Sequence, residues 1–183
     1  MYNFYLPPPS YIYLKEKFPN MNWLKLDVNM AIKLNNFLHD NCQYMLIFMD
    51  SNYRDYIPII VTKEIGDDII IMCEFMYNPE TNMAEIYNIG TNIVYRQRGY
   101  AKGLNTVFTD LQHMLECDLW IAVALNNPMY KVASDIYLNM GFIDDVKISY
   151  KTPTGVLYPP GFMEMKRHYE ILKKQESTPR IED

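Results

Sequence analysis

Arg96-Gln97-Arg98-Gly99-Tyr100-Ala101-Lys102-Gly103 follows a strand-like run and opens an amphipathic segment, Leu104 to Leu115, and its reading decides the fold. Glycine lets another group approach the backbone closely and adopts conformations that a side chain forbids. Gly99, Ala101 and Gly103 supply that slimness. A glycine inside a helix costs roughly 1 kcal/mol against alanine, so Gly103, read as one turn into the helix, implies a close visitor. The first turn of a helix has N–H groups without partners and a partial positive charge, which together suit a phosphate. Arg96, Arg98 and Lys102 add formal charge.

Leu104, Val107, Phe108, Leu111, Met114 and Leu115 recur with the rhythm of one buried helix face, ending near Glu116. Asp118 to Leu125 is an apolar run of strand length. Asn127-Pro128 reads as an N-cap and first-turn proline for a second helix carrying Tyr130, Ala133, Tyr137 and Met140. Gly141 is the expected left-handed stop, and Phe142 enters the next strand.

In that order, Arg-x-x-Gly-x-Ala at 96–101 and Tyr-x-x-x-Gly-Phe at 137–142 resemble the two core motifs of the GCN5-related N-acetyltransferase (GNAT) superfamily. The resemblance covers roughly residues 56 to 168. Neither motif is specific alone; the succession of strand, motif, helix, strand, helix and second motif is. The fold it implies is α/β, with a mixed, mostly antiparallel sheet of about six or seven strands and helices on both faces. One domain, 1–168, with a polar tail, 169–183, fits the length.

Ahead of the motifs, Asn29 to His39 reads as a helix with Ala31, Leu34, Phe37 and Leu38 inward. Ile57 to Thr62, Ile69 to Tyr77 and Ala84 to Thr91 read as an antiparallel meander turned at Gly66-Asp67 and Asn78-Pro79. Val146 to Lys151 and Phe162 to His168 read as a last hairpin, with Tyr150, Tyr158, Pro159, Pro160 and Phe162 stiffening its connection. The first forty residues fit the family pattern least, and Lys173 to Asp183 reads as a frayed end.

The resemblance also assigns roles. The strand before the loop splays from its neighbour in this superfamily, and Gly90, Thr91 and Asn92 match the positions whose backbone holds the pantetheine arm of acetyl-CoA. The pyrophosphate falls on the amides of Gln97, Arg98, Gly99, Tyr100, Ala101, Lys102 and Gly103, with Arg96 holding the loop. Tyr137 matches the tyrosine that protonates the leaving thiolate. Glu85, fourteen residues ahead of Gly99, resembles the strand glutamate that acts as base in the histone-acetyltransferase branch. Glu74 and Glu164 are lesser candidates. The chain departs from the pattern at Tyr130, where the family usually has a cofactor-contacting asparagine; Lys131 beside it is a candidate for a phosphate of the adenosine end.

The implied reaction is direct transfer of an acetyl group from acetyl-CoA to a primary amine in a ternary complex, the acceptor being a protein or peptide amine. A polyamine-like small molecule, or a non-catalytic acyl-CoA-binding or interaction role, is the alternative. A net charge of −5 argues against nucleic acid as partner, and no apolar stretch has the length to span a membrane. Cys42, Cys73 and Cys117 are odd in number and scattered, and no secretory signal is visible, which together imply a reducing, cytoplasmic setting. His39, His113 and His168 are isolated, so no metal is expected. The abundance of Asn, Ile, Tyr and Lys points to an AT-rich genome, a parasite's or a large virus's, with the host cell then as the setting. Oligomeric state is not legible.

Overall fold

The computed structural model describes residues 2–42, 46, 56–125, 128, 130–144 and 162–177. In chain order these give β1 (Tyr2–Leu6), α1 (Pro8–Lys17), β2 (Trp23–Lys25), α2 (Val28–Cys42), β3 (Ile57–Ile65), β4 (Asp68–Asn78) and β5 (Met83–Thr91). Two short 3-10 turns follow, Ile93–Tyr95 and Tyr100–Gly103. Then come α3 (Leu104–Leu115), β6 (Asp118–Ala124), α4 (Tyr130–Asn139), β7 (Ile143–Asp144), β8 (Phe162–Arg167) and α5 (Tyr169–Ser177). Among the described residues, eight strands form one sheet in the order β2-β1-β3-β4-β5-β6-β8-β7. It is mixed: β1–β2 and β5–β6 are parallel, and the other neighbours antiparallel.

The meander β3–β4–β5 arises where the apolar runs and turn signals required it. Gly66 takes a φ of +59° in the first turn, and the Asn78 side chain accepts the amides of Glu80 and Thr81 in the second. β4 is covered on both faces, Ile69 to Tyr77 being buried without a break, as suits a central strand that is apolar along that stretch but for Glu74. Its Cys73, Phe75 and Tyr77 join Leu104, Val107, Phe108 and Leu111 of α3 in the larger core. Phe108 meets both Phe75 and Phe142 edge to face. On the other face Leu34, Phe37 and Leu38 of α2 close over Ile60, Ile69 and Met72. Glu116 and Gly141 take the left-handed conformation that ends α3 and α4.

The expected mixed, mostly antiparallel sheet is present, and residues 2–25 extend it at one edge with β1 and β2. Pro8 and Pro9 occupy the first turn of α1, where a missing N–H is tolerated. The polar tail expected from 169 begins as a helix: α5 packs through buried Tyr169 and Leu172, and Asp118 accepts the Tyr169 amide at its first turn. Gly103 lies in a 3-10 turn at the cap of α3, not inside a helix. The expected strand 146–151, its aromatic connection and the Asn127 cap fall outside the described residues, while β7 lies earlier, at Ile143–Asp144. No helix among the described residues is long and apolar enough to cross a membrane.

Candidate active site

β5 and β6 are hydrogen-bonded neighbours only from Met83 to Ile86 and from Asp118 to Ile121. Beyond that level they part. β5 continues to Thr91 against β4 alone, and β6 continues to Ala124 against β8 alone. The cause is local: β4 pairs Phe75 with Ile86 but Glu74 with Asn88, so Tyr87 is an extra residue in β5. Such a bulge bends a strand and ends its regular pairing. The result is a slot between two parallel strands that are not paired with each other beyond Ile86 and Ile121.

The slot leads to the loop 92–103. Asn92 begins it, accepting the Val94 amide and donating to the Ile69 carbonyl through its side chain, while its own N–H goes to the Ile70 carbonyl. Asn92 thereby helps to shape the loop. Arg96 is pinned as expected of a loop-holding residue: it donates to the Thr91 carbonyl at 3.2 Å and the Asn41 carbonyl at 2.6 Å. Asn41, at the end of α2, also accepts the Ile93 amide. No sequence signal marked it, because it lies 52 and 55 residues from its two partners.

From Gln97 onward the loop turns its amides outward. Gln97 and Gly99 have positive φ, +61° and +78°, and alternation of this kind makes a concave nest of N–H groups suited to an anion. Lys102 donates to the Gly99 carbonyl, but among the described residues no acceptor takes the amides of Gln97, Arg98, Gly99 or Tyr100. Arg98 lies over the Tyr95 ring and Lys63 over the Tyr100 ring, while Lys102 is exposed, so the nest is electropositive. A Cβ on Gly99 would meet nothing within 4 Å; its glycine answers to φ. Gly90 is different. A Cβ there would come within 2.9 Å of Cys42 Sγ and 3.0 Å of a Phe37 ring carbon, so its slimness admits α2. At Gly103 the close visitor is likewise protein, the Tyr2 hydroxyl, rather than a phosphate.

Tyr137 stands on α4, which packs on β6, with its ring edge to face on Phe142 at 5.8 Å. Burial pushes its phenol well up, the nearby Cys73 thiol adding to the effect, so the group stays protonated at neutral pH. Tyr130 begins the same helix half-buried against the core, and Lys131 is exposed beside it.

Glu85 is buried at 1% exposure, not solvated on a polar face. It is opposite Met76 on β4 and Trp120 on β6, at the last levels before the strands part. Ala84 and Ile86 face the α3 core, so Glu85 faces the other way, toward the side that α2 covers. Glu74 and Glu164 are buried on the same side. Glu74 accepts from Asn88 at 2.5 Å beside the bulge, and Glu164 is opposite Ala122 on the far wall of the slot. The sheet therefore carries phosphate-loop and tyrosine features at one side of the slot and three carboxylates at the other. Among the described residues no three His, Cys, Asp or Glu side chains converge as a metal site requires.

An eight-stranded mixed sheet with a parting parallel pair, a nest of free amides and a following helix defines the acyl-CoA N-acyltransferase fold, the fold of the GNAT proteins. Among solved structures, the chain is similar to the spermidine/spermine N-acetyltransferase SpeG from Vibrio cholerae, with 14% identity, 83% of this chain and 95% of that chain covered, and a TM-score of 0.60. It is also similar to the ribosomal-protein-S18-alanine N-acetyltransferase from Escherichia coli, with 16% identity, coverage of 78% and 89%, and a TM-score of 0.55. At such identities the likeness is one of fold. No protein-family model and no curated protein matches the sequence.

Proposed function

We propose that this chain is an N-acetyltransferase that moves the acetyl group of acetyl-CoA directly to a primary amine. The observation that carries the reading is the parting of β5 from β6 at the Tyr87 bulge, followed by a loop in which, among the described residues, the amides of Gln97 to Tyr100 meet no acceptor. The residues fit the donor: the nest and its cations suit a pyrophosphate, and the gap where β5 and β6 no longer pair with each other suits the amide-bearing pantetheine arm. Both structural neighbours named above act on amines, spermidine and spermine in one and an alanine of ribosomal protein S18 in the other.

The amine must be neutral to attack. A lysine-type ammonium, with a pKa near 10.4, gives up its proton rarely at neutral pH, whereas an α-amine near 8 is partly free. Glu85 takes that proton through water. The amine nitrogen then bonds to the thioester carbonyl carbon, the C–S bond breaks, and the departing thiolate receives the Tyr137 phenolic proton. Three buried carboxylates on the acceptor side of the slot favour a cationic acceptor, so a polyamine-like small molecule is the second reading beside a protein or peptide amine. The free cysteines, Cys42, Cys73 and Cys117, fit a reducing compartment.

Thermal unfolding with and without millimolar acetyl-CoA tests the reading, since a ligand at 100 times its Kd stabilises by about 2.7 kcal/mol. A rise of several degrees is expected, and its absence overturns the reading. In turnover on an amine panel, Tyr137→Phe is expected to lower kcat about 100-fold with Kd for acetyl-CoA unchanged; equal rates would remove Tyr137 as the acid.

A further inference from the structure

Tyr2, the first residue of β1, is half-buried, yet its hydroxyl oxygen is fully enclosed and has no hydrogen-bond partner among the described residues. Burial pushes its phenol up. The hydroxyl lies so close to Gly103 that a Cβ there would sit 2.6 Å from it, the next atom being the ring carbon at 3.7 Å. Gly103 has an ordinary helical φ of −67°, so space and not conformation is what demands glycine. Lys63 ties the same pieces together from above: it pairs with Tyr2 in the sheet, and its ammonium lies 5.7 Å from the Tyr2 ring and 4.9 Å from the Tyr100 ring.

A phenylalanine at this position would keep the ring packing and omit a buried donor without an acceptor, which is destabilising. The hydroxyl is thus an excess over what packing needs, and what it abuts is the turn that follows the amide nest. We propose that Tyr2 is a positioning residue for the phosphate loop: its hydroxyl sets the height of the 3-10 turn Tyr100–Gly103 and so holds the amides of Gln97 to Tyr100 for a pyrophosphate. The inference rests on the acetyl-CoA reading above. It places the N-terminal strand, outside both sequence motifs, in the determination of cofactor affinity.

The test compares Tyr2→Phe with the unaltered protein on two thioesters, acetyl-CoA and S-acetylpantetheine, the second lacking the pyrophosphate, together with ligand-free melting. Tyr2→Phe is expected to melt no lower than the unaltered chain and to bind acetyl-CoA about fivefold to tenfold more weakly, while its affinity for S-acetylpantetheine moves by less than about twofold. Unchanged affinity for acetyl-CoA overturns the inference. So does an equal loss on both thioesters, which marks general distortion. Gly103→Ala supplies a second handle: it is expected to lower the melting point by pressing a methyl group on the hydroxyl, and Tyr2→Phe in that background to restore it; failure of the restoration refutes the contact. If the unaltered protein binds neither thioester, the acetyltransferase reading itself falls and this inference with it.

Discussion

The two halves of the β5–β6 pair have opposite characters. From Met83 to Ile86 the strands are zipped, their backbones bonded to each other and their side chains sealed between Trp120, Leu119 and the α3 core. From Tyr87 onward β5 and β6 no longer pair with each other, and among the described residues the nearby loop holds four amides without acceptors. Nothing in apolar content separates the halves: Ile89 and Val123 are as hydrophobic as Ile86 and Ile121. One added residue, Tyr87, separates them. The lesson is that a single register shift converts a stretch of core sheet into a binding slot, leaving the zipped half to hold it open.

Gly99→Glu gives the largest expected effect and attacks the open half. It puts a non-glycine residue at a φ of +78° and a carboxylate beside the nest, and is expected to weaken acetyl-CoA binding at least about 100-fold by calorimetry. Wild-type affinity would remove the pyrophosphate from this loop. Glu85→Gln sharpens the comparison, because Glu85 belongs to the zipped half. If that half contributes chemistry as well as support, kcat on a lysine-type amine falls about 100-fold at neutral pH, and on an α-amine about tenfold less steeply. Equal, small losses on both acceptors would confine the chemistry to the parted half.

A smaller effect concerns the stability of the zipped end. Burial first, and Asp118 second, push the Cys117 thiol from 9.0 up to about 12, and burial followed by Glu64 pushes the Tyr5 phenol from 10.0 up to about 12. Both folded values lie above the unfolded ones, so the folded chain keeps protons that the unfolded chain releases. The associated stability is complete below about pH 9 and declines as pH rises from there toward 12. The urea midpoint is expected to be lower near pH 10.5 than near pH 8, and Cys117→Ala to lessen the difference; a midpoint flat across that interval would place the thiol in a more polar setting than the sheet provides.

Much of this was readable in advance where periodicity and punctuation are strong. Leu104 to Leu115 showed one face, Ile69 to Tyr77 a strand of the meander, and Gly141 a stop, and each lies where it was expected. The helix at Asn29 to His39 was readable and lies within α2, but the first 25 residues were not: Tyr2 to Leu6 shows no clean alternation, and of three successive prolines two start α1. Within the site, residue types were legible and contacts were not. Arg-x-x-Gly-x-Ala announced a loop, but the anchoring of Arg96 by Asn41, and the claim of Tyr2 on Gly103, join residues far apart in the chain. The carboxylate at Glu85 was visible as a letter, while its burial depended on Trp120 and Met76 arriving from neighbouring strands.

The strand order carries a consequence for how the molecule comes into being. β8 is the last strand in the chain, yet it lies between β6 and β7. Until residues 162–167 leave the ribosome, β6 has a bare edge on the side away from β5, and an unpaired apolar edge is an invitation to aggregation. One wall of the slot is therefore finished last, and a chain arrested before Phe162 would present Leu119 to Val123 to any passing strand. For this topology, the wall of the slot that β6 forms is completed only when Phe162–Arg167 is in place.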